Sequence, residues 1–209
     1  MSHPDSSARP DLRPIELGEV FENPVTRERA VILELPWQNR ESRAVAEMTA
    51  FPGAHVVGEH LHPALHESFS VLRGELTVVR DGERSILRAG EAAHIEPGMW
   101  HDWFNAADVE AVVRVEVTPG ERFAHMIETL FGLAREGHVN GKGMPDLFQL
   151  ALTAQEFSDV IVFRKPPPSV QRVVFGALGP LARRRGYRGT YMSLSRTTLA
   201  PRAVGAPSD

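Results

Sequence analysis

Residues 52–76 read PGAHVVGEHLHPALHESFSVLRGEL, and residues 90–105 read GEAAHIEPGMWHDWFN. In the first stretch one residue separates His60 from His62, Glu67 follows on the far side of a turn, and Gly53, Gly58 and Gly74 punctuate the segment. Side chains alternate between the two faces of a strand, so His60 and His62 share a face and can grip one ion from the same side. The turn brings Glu67 round on the next strand. A fourth ligand must come from further along, and His101, just past the Pro97-Gly98 turn, is the candidate. Three neutral imidazoles and one carboxylate suit a single divalent transition metal, Fe, Mn, Ni, Cu, Co or Zn, whereas calcium would want more oxygens. An isolated H-x-H pair is as often a hydrogen-bonded core feature. Two glycine-bounded strand-turn-strand segments carrying four ligands together point to a metal.

These spacings resemble the two sequence motifs of the cupin superfamily. The first, G-x5-H-x-H-x3–4-E-x6-G, is met by His60, His62, Glu67 and Gly74, with Gly53 or Gly58 standing in for a glycine expected at Ala54. The second, G-x5–7-P-x-G-x2-H-x3-N, is met by Gly90, Gly98, His101 and Asn105, with Pro97 one place late and Glu96 in its slot. Neither departure touches a ligand. The resemblance covers roughly residues 40–118 and implies a mainly β protein, an antiparallel jelly-roll barrel, with a metal held by His60, His62, Glu67 and His101. It also implies a small-molecule substrate. The first expectation is an oxidoreductase, dioxygenase-like, acting on an enolic, phenolic or keto-acid compound. The alternatives are a non-redox isomerase, cyclase or decarboxylase using the metal as a Lewis acid, and a non-catalytic binding cupin. Glu67 would double as a catalytic base if it left the metal. Cupins commonly pair through their sheets, so a homodimer is expected.

Around the ligands, Glu67, Phe69 and Val71 share a strand face, which sets an aromatic wall beside the carboxylate. Trp103 has the parity of His101, and Met48 lies on an alternating strand, so Met48, Phe69 and Trp103 are expected to form an apolar substrate pocket. Met99 and Trp100 are candidates for its mouth. His66 is either a proton-carrying neighbour of Glu67 or a rim histidine. His55, His94, His125 and His138 have no usable spacing, and His3 is incidental.

Outward from this centre the pattern is of short strands with glycine or proline turns, which favours a sandwich or barrel. Lead-in strands are expected within residues 17–35, ending at Pro36, and a half-buried strand over residues 43–51. Residues 76–80 and 85–87 flank Asp81-Gly82, a favoured tight hairpin turn. Residues 92–95, 101–105 and 111–118 complete the series, the last with Ala111, Val113, Val115 and Val117 on one face.

At Thr118 the period changes. Thr118-Pro119-Gly120-Glu121 has the form of a capping box, and Phe123, Ile127, Leu130, Phe131 and Ala134 recur at helical spacing up to Gly137. A second helix is expected over residues 145–157, with Leu147, Phe148, Leu150, Ala151 and Ala154 on its apolar side. After three prolines comes a third pattern, Val170, Val173, Val174, Ala177, Leu178 and Leu181, closed by Arg183, Arg184, Arg185 and Gly186. The expected organisation is a flexible tail over 1–14, the barrel over 15–118, a helical extension packed on it over 119–197, and a disordered tail over 198–209.

With 209 residues the chain can bury a core of its own. A net charge of −4 gives no general pull toward nucleic acid or anionic lipid, so no nucleic-acid partner is expected. The absence of cysteine removes disulfides, thiolate ligands and a thiol nucleophile. No apolar run approaches the ~20 residues of a membrane span, and the first residues lack a signal pattern, so a cytoplasmic location is expected.

Overall fold

The computed structural model describes residues 15–56 and 58–191, together with the backbone of residues 197–198. The strands are β1 (Glu19–Asn23), β2 (Glu28–Glu34), β3 (Ala44–Ala50), β4 (His60–Leu61), β5 (His66–Arg73), β6 (Glu75–Arg80), β7 (Glu83–Arg88), β8 (Ala92–Ile95), β9 (His101–Phe104), β10 (Ala111–Thr118), β11 (Val162–Phe163) and β12 (Thr197–Thr198). The helices are α1 (Glu121–Arg135), α2 (Leu147–Glu156) and α3 (Pro168–Arg184). Two antiparallel sheets face each other, in the orders β12-β1-β2-β3-β10-β5-β8 and β11-β4-β9-β6-β7. This is the jelly-roll arrangement that the sequence resemblance implies.

Period-two alternation builds the core. Ala111, Val113, Val115 and Val117 of β10 face inward, as do Glu67, Phe69 and Val71 of β5, and β10 pairs with both β3 and β5. Phe69 is almost wholly enclosed, a burial worth about 2–3 kcal/mol. At the β6–β7 hairpin Asp81 and Gly82 both adopt positive φ, as a tight turn between twisted strands requires. Gly74 also has positive φ, and a Cβ there would stand 2.6 Å from the Glu110 carbonyl oxygen. That position therefore admits only glycine on two counts.

Helix α1 does not use the expected capping box. Thr118 is committed to the β10–β5 ladder opposite His66, so its backbone cannot serve as a cap; Gly120 is the N-cap, without a side-chain bond. Gly120 lies so close to β3 that a Cβ would be 2.4 Å from that of Ala44. Ala124 and Phe131 of α1 pack with Ile15, Phe21, Ala30, Ile32 and Leu35, while Phe123, Ile127 and Leu130 lean on the barrel core.

The other two helices are turned relative to the sequence pattern. In α2 the buried residues are Gln149, Ala151, Leu152 and Thr153, and Leu147 is exposed. In α3 the buried face is Gln171, Phe175, Gly179 and Ala182, and Val170, Val173, Val174 and Leu181 are exposed, Val173 at 72%. Gly179 explains the rotation: with no Cβ it admits the Gln155 side chain, whose nitrogen lies 2.6 Å from where that Cβ would be. Between these helices the chain returns to the barrel, where β11 pairs with β4 and adds a strand to the second sheet. The tails expected over 1–14 and 198–209 lie outside the described residues, except that the Thr198 backbone pairs with Glu19. Among the described residues no helix is long and apolar enough to cross a membrane.

Candidate metal centre

His60 and His62 enter on and just after β4, Glu67 on β5 and His101 on β9, and His60 sits opposite His101 in the β4–β9 ladder. All four are buried, and their ligand atoms lie within 4.8 Å of one another. Each imidazole is oriented by a backbone carbonyl at Nδ1: Gly58 at 3.1 Å from His60, Val160 at 2.6 Å from His62 and Met99 at 3.1 Å from His101. A carbonyl can only accept, so Nδ1 carries the hydrogen in each ring and Nε2 is left with its lone pair toward the centre.

Glu67 Oε2 stands 3.4 Å from His62 Nε2 and 3.1 Å from His101 Nε2. None of these three buried atoms makes a hydrogen bond of acceptable geometry. Three buried polar atoms without partners, aimed at one point, would cost several kcal/mol if nothing met them. A cation at that point satisfies them all, and the donor set is that of a first-row divalent metal. Burial, with help from His101 and His62, pulls His60 down to about 3, so it stays neutral. Burial pushes Glu67 up, but the adjoining His101 and His62 rings outweigh it and hold the carboxylate anionic. Burial lowers His101, and the Glu67 carboxylate more than reverses this, so a proton competes for that nitrogen.

His60, His62 and Glu67 open into a cavity of about 140 Å3, with Met48, Phe69 and Trp103 among its walls and Phe123, Ile127 and Leu130 of α1 on another side. The three expected pocket residues are therefore brought together. Met99 and Trp100 do not line it: Trp100 lies under the Arg164 guanidinium, which also pairs with Glu59. His66 is exposed and faces Glu96 at 3.1 Å, the rim position rather than the proton-carrying one. Asn105, the last residue of the second motif, works on the backbone: its Nδ2 donates to Ala50 and Val109, and its Oδ1 accepts from Ala107.

Three contributors were not assigned to the site by the sequence reading. Phe123 packs edge-on against His62, and Val160 holds that same ring. Glu28 is buried on the inward face of β2 with Ala30 and Ile32, lines the cavity, and is pushed up to about 8 by burial, against the lowering effect of the Thr26 hydroxyl. Its parity with Ala30 and Ile32 was the available signal.

Residues 46–123 match the family model described as the Cupin domain. No curated protein matches the chain significantly. Similar solved structures include a sugar phosphate isomerase of the cupin superfamily from Silicibacter pomeroyi, at 22% identity and TM-score 0.39, covering 45% of this chain and 60% of that one. KdgF from a Halomonas species matches at 16% identity and TM-score 0.42, over 47% of this chain and 84% of that one. A predicted oxalate decarboxylase from Thermotoga maritima matches at 21% identity and TM-score 0.41, over 44% and 79%. The match spans less than two thirds of the isomerase's own length.

Proposed function

This chain carries a cupin domain, and we propose that it is a metal-dependent oxidoreductase of the dioxygenase type, acting on a small enolic, phenolic or keto-acid compound. The observation that carries the reading is the convergence of unpartnered Nε2 and Oε2 atoms on one point that opens into an apolar cavity. His60, His62, Glu67 and His101 would hold the metal, which when bound supplies a common meeting place for dioxygen and a chelating oxygen substrate.

The chain's own residues do the rest. The Nδ1 bonds to Gly58, Val160 and Met99 fix the three rings, so ligand orientation costs nothing when the ion arrives. Met48, Phe69 and Trp103 exclude water and favour an organic molecule over a bare anion. Glu67 would double as the proton carrier on leaving the metal: its carboxylate is held anionic and its Oε2 faces the centre, where it could then take a proton from an enolic or phenolic oxygen. The same reading takes the exposed apolar stripe of α3 as the face through which two copies associate.

The test is metal analysis of protein purified without a histidine tag, followed by oxygen-uptake screening against enolic, phenolic and keto acids. A redox metal with substrate-dependent oxygen consumption supports the proposal. Product formation without oxygen consumption replaces it with the Lewis-acid reading, and neither outcome leaves a binding protein.

A further inference from the structure

A larger cleft, about 460 Å3, lies outside the barrel where the C-terminus of α1 and the N-terminus of α2 meet the segment after α3. It shares no lining residue with the metal cavity. Its walls bring together Arg185, Arg188, His138, Tyr187 and Tyr191, and the last two are the only tyrosines in the chain. The charge distribution singles out the same region. Of 27 carboxylates only Asp209 follows Asp159, whereas nine of the 23 lysines and arginines do.

The segment that carries these groups is pinned from beneath. Buried Gln149 donates to the Arg188 carbonyl at 2.8 Å and to Thr153 Oγ1 at 2.9 Å, and the Tyr191 amide donates to Thr129 Oγ1. Gly189 lies so close to α2 that a Cβ would sit 2.7 Å from that of Glu156. The Arg185 guanidinium lies 4.4 Å from the centre of the Phe148 ring, and Phe148 in turn leans on Tyr187. Among the described residues neither Arg185 nor Arg188 meets a carboxylate. Of the acids nearby, Asp146 itself lines the cleft and its Oδ1 accepts the amides of Phe148 and Gln149, and Glu136 accepts the Tyr191 hydroxyl. His138 meets Tyr191 edge to face.

We propose that this cleft is a second ligand site, for a small organic anion in which a carboxylate or phosphate is carried on a planar ring. Two arginine forks without acid partners fit an oxyanion, the rings of His138, Tyr187 and Tyr191 fit a flat π system, and the volume is that of a small-ligand site.

The experiment titrates full-length protein, metal-loaded and metal-stripped, with phenyl phosphate and with benzoate, using inorganic phosphate and neutral benzamide as controls. Binding is followed by calorimetry and by the backbone amide signals of Gly186 and Gly189. One or both aryl anions bind saturably in both metal states, and benzamide binds at least ~10-fold more weakly, the scale of one lost charge-assisted bond. The Arg185→Ala/Arg188→Ala double variant loses at least that factor. Tyr187→Leu weakens the aryl anions and spares inorganic phosphate. Should the double alanine variant fail to fold, Arg185→Lys/Arg188→Lys keeps the charge without the fork and gives intermediate affinity. Whichever aryl anion binds more tightly identifies the oxyanion as phosphate or carboxylate. The proposal is overturned by no saturable binding of either aryl anion, by equal binding of benzamide, by unchanged binding in the double variant, or by binding that disappears with the metal, which would place the ligand in the barrel. This test does not depend on the reaction assigned to the metal centre.

Discussion

Replacing Glu28 by glutamine tests how the cavity treats charge. In the folded chain burial holds this carboxyl at about 8 against an ordinary 4.5, so between those values the native state keeps a proton that the unfolded chain has released. The native state binds more protons, and stability therefore falls as pH rises through that window. Each pH unit is worth about 1.4 kcal/mol, giving about 3 kcal/mol by pH 7 and about 5 kcal/mol above pH 8. Glutamine has nearly the same shape and no charge to release. The variant should match the parent below about pH 4.5 and gain on it steadily up to about pH 8, where the difference levels off. Urea denaturation of both proteins after chelation, at single pH steps, reads this directly, and taking the difference cancels every other titrating group. A stability difference that stays constant with pH would refute the reasoning, because it would mean that Glu28 ionises in the fold as it does in the open chain.

Alanine at His60, His62, Glu67 or His101 should lower metal affinity by at least ~100-fold, the upper end of what even outer partners contribute, while His66→Ala keeps full metal content; retention by all four and loss at His66, measured by mass spectrometry of the metal, would reverse the assignment. Because Glu67 favours a proton on His101, metal affinity should decline on acidification, beginning above the ordinary histidine value of 6.5, and a competition titration with a chromogenic chelator would show it. Trp103→Ala removes a buried wall at a cost of about 3–5 kcal/mol; this variant and the milder Trp103→Phe should change substrate affinity at unchanged metal content, read by calorimetry on whatever compound the oxygen screen identifies. Val173→Glu should turn a dimer into a monomer in sedimentation velocity, and an unaltered dimer would move the association face elsewhere.

The barrel and the cluster of four candidate ligands were legible because each obeys a local rule. The H-x-H spacing, the parity of Glu67 with Phe69 and Val71, and the Asp81-Gly82 turn all follow from strand alternation and turn chemistry within a few residues. What escaped depends on distant partners. The periodicity of Val170, Val173, Val174 and Leu181 predicted an apolar stripe correctly, but which face α3 buries was decided by Gly179 closing on Gln155. The capping box at Thr118 failed because the β10–β5 ladder claimed that backbone first. Val160 could not be found from sequence, since a carbonyl oxygen that orients a ring 98 positions earlier leaves no mark in residue identity.

That last contact sets an order of events during synthesis. Every candidate metal ligand has been made once His101 is added, yet the carbonyl that orients His62 and the strand that pairs with β4 come roughly sixty residues later, a delay of about 3–12 s at ~5–20 residues per second. Once β10 is also made, the chain holds every strand of the barrel but β11 and β12 and all four candidate ligands, with the His62 ring untethered and no β11 beside β4. An ion bound at that stage would meet a looser cage than one bound by the finished protein, so occupancy of this site would depend on when the ion arrives as well as on which ion it is.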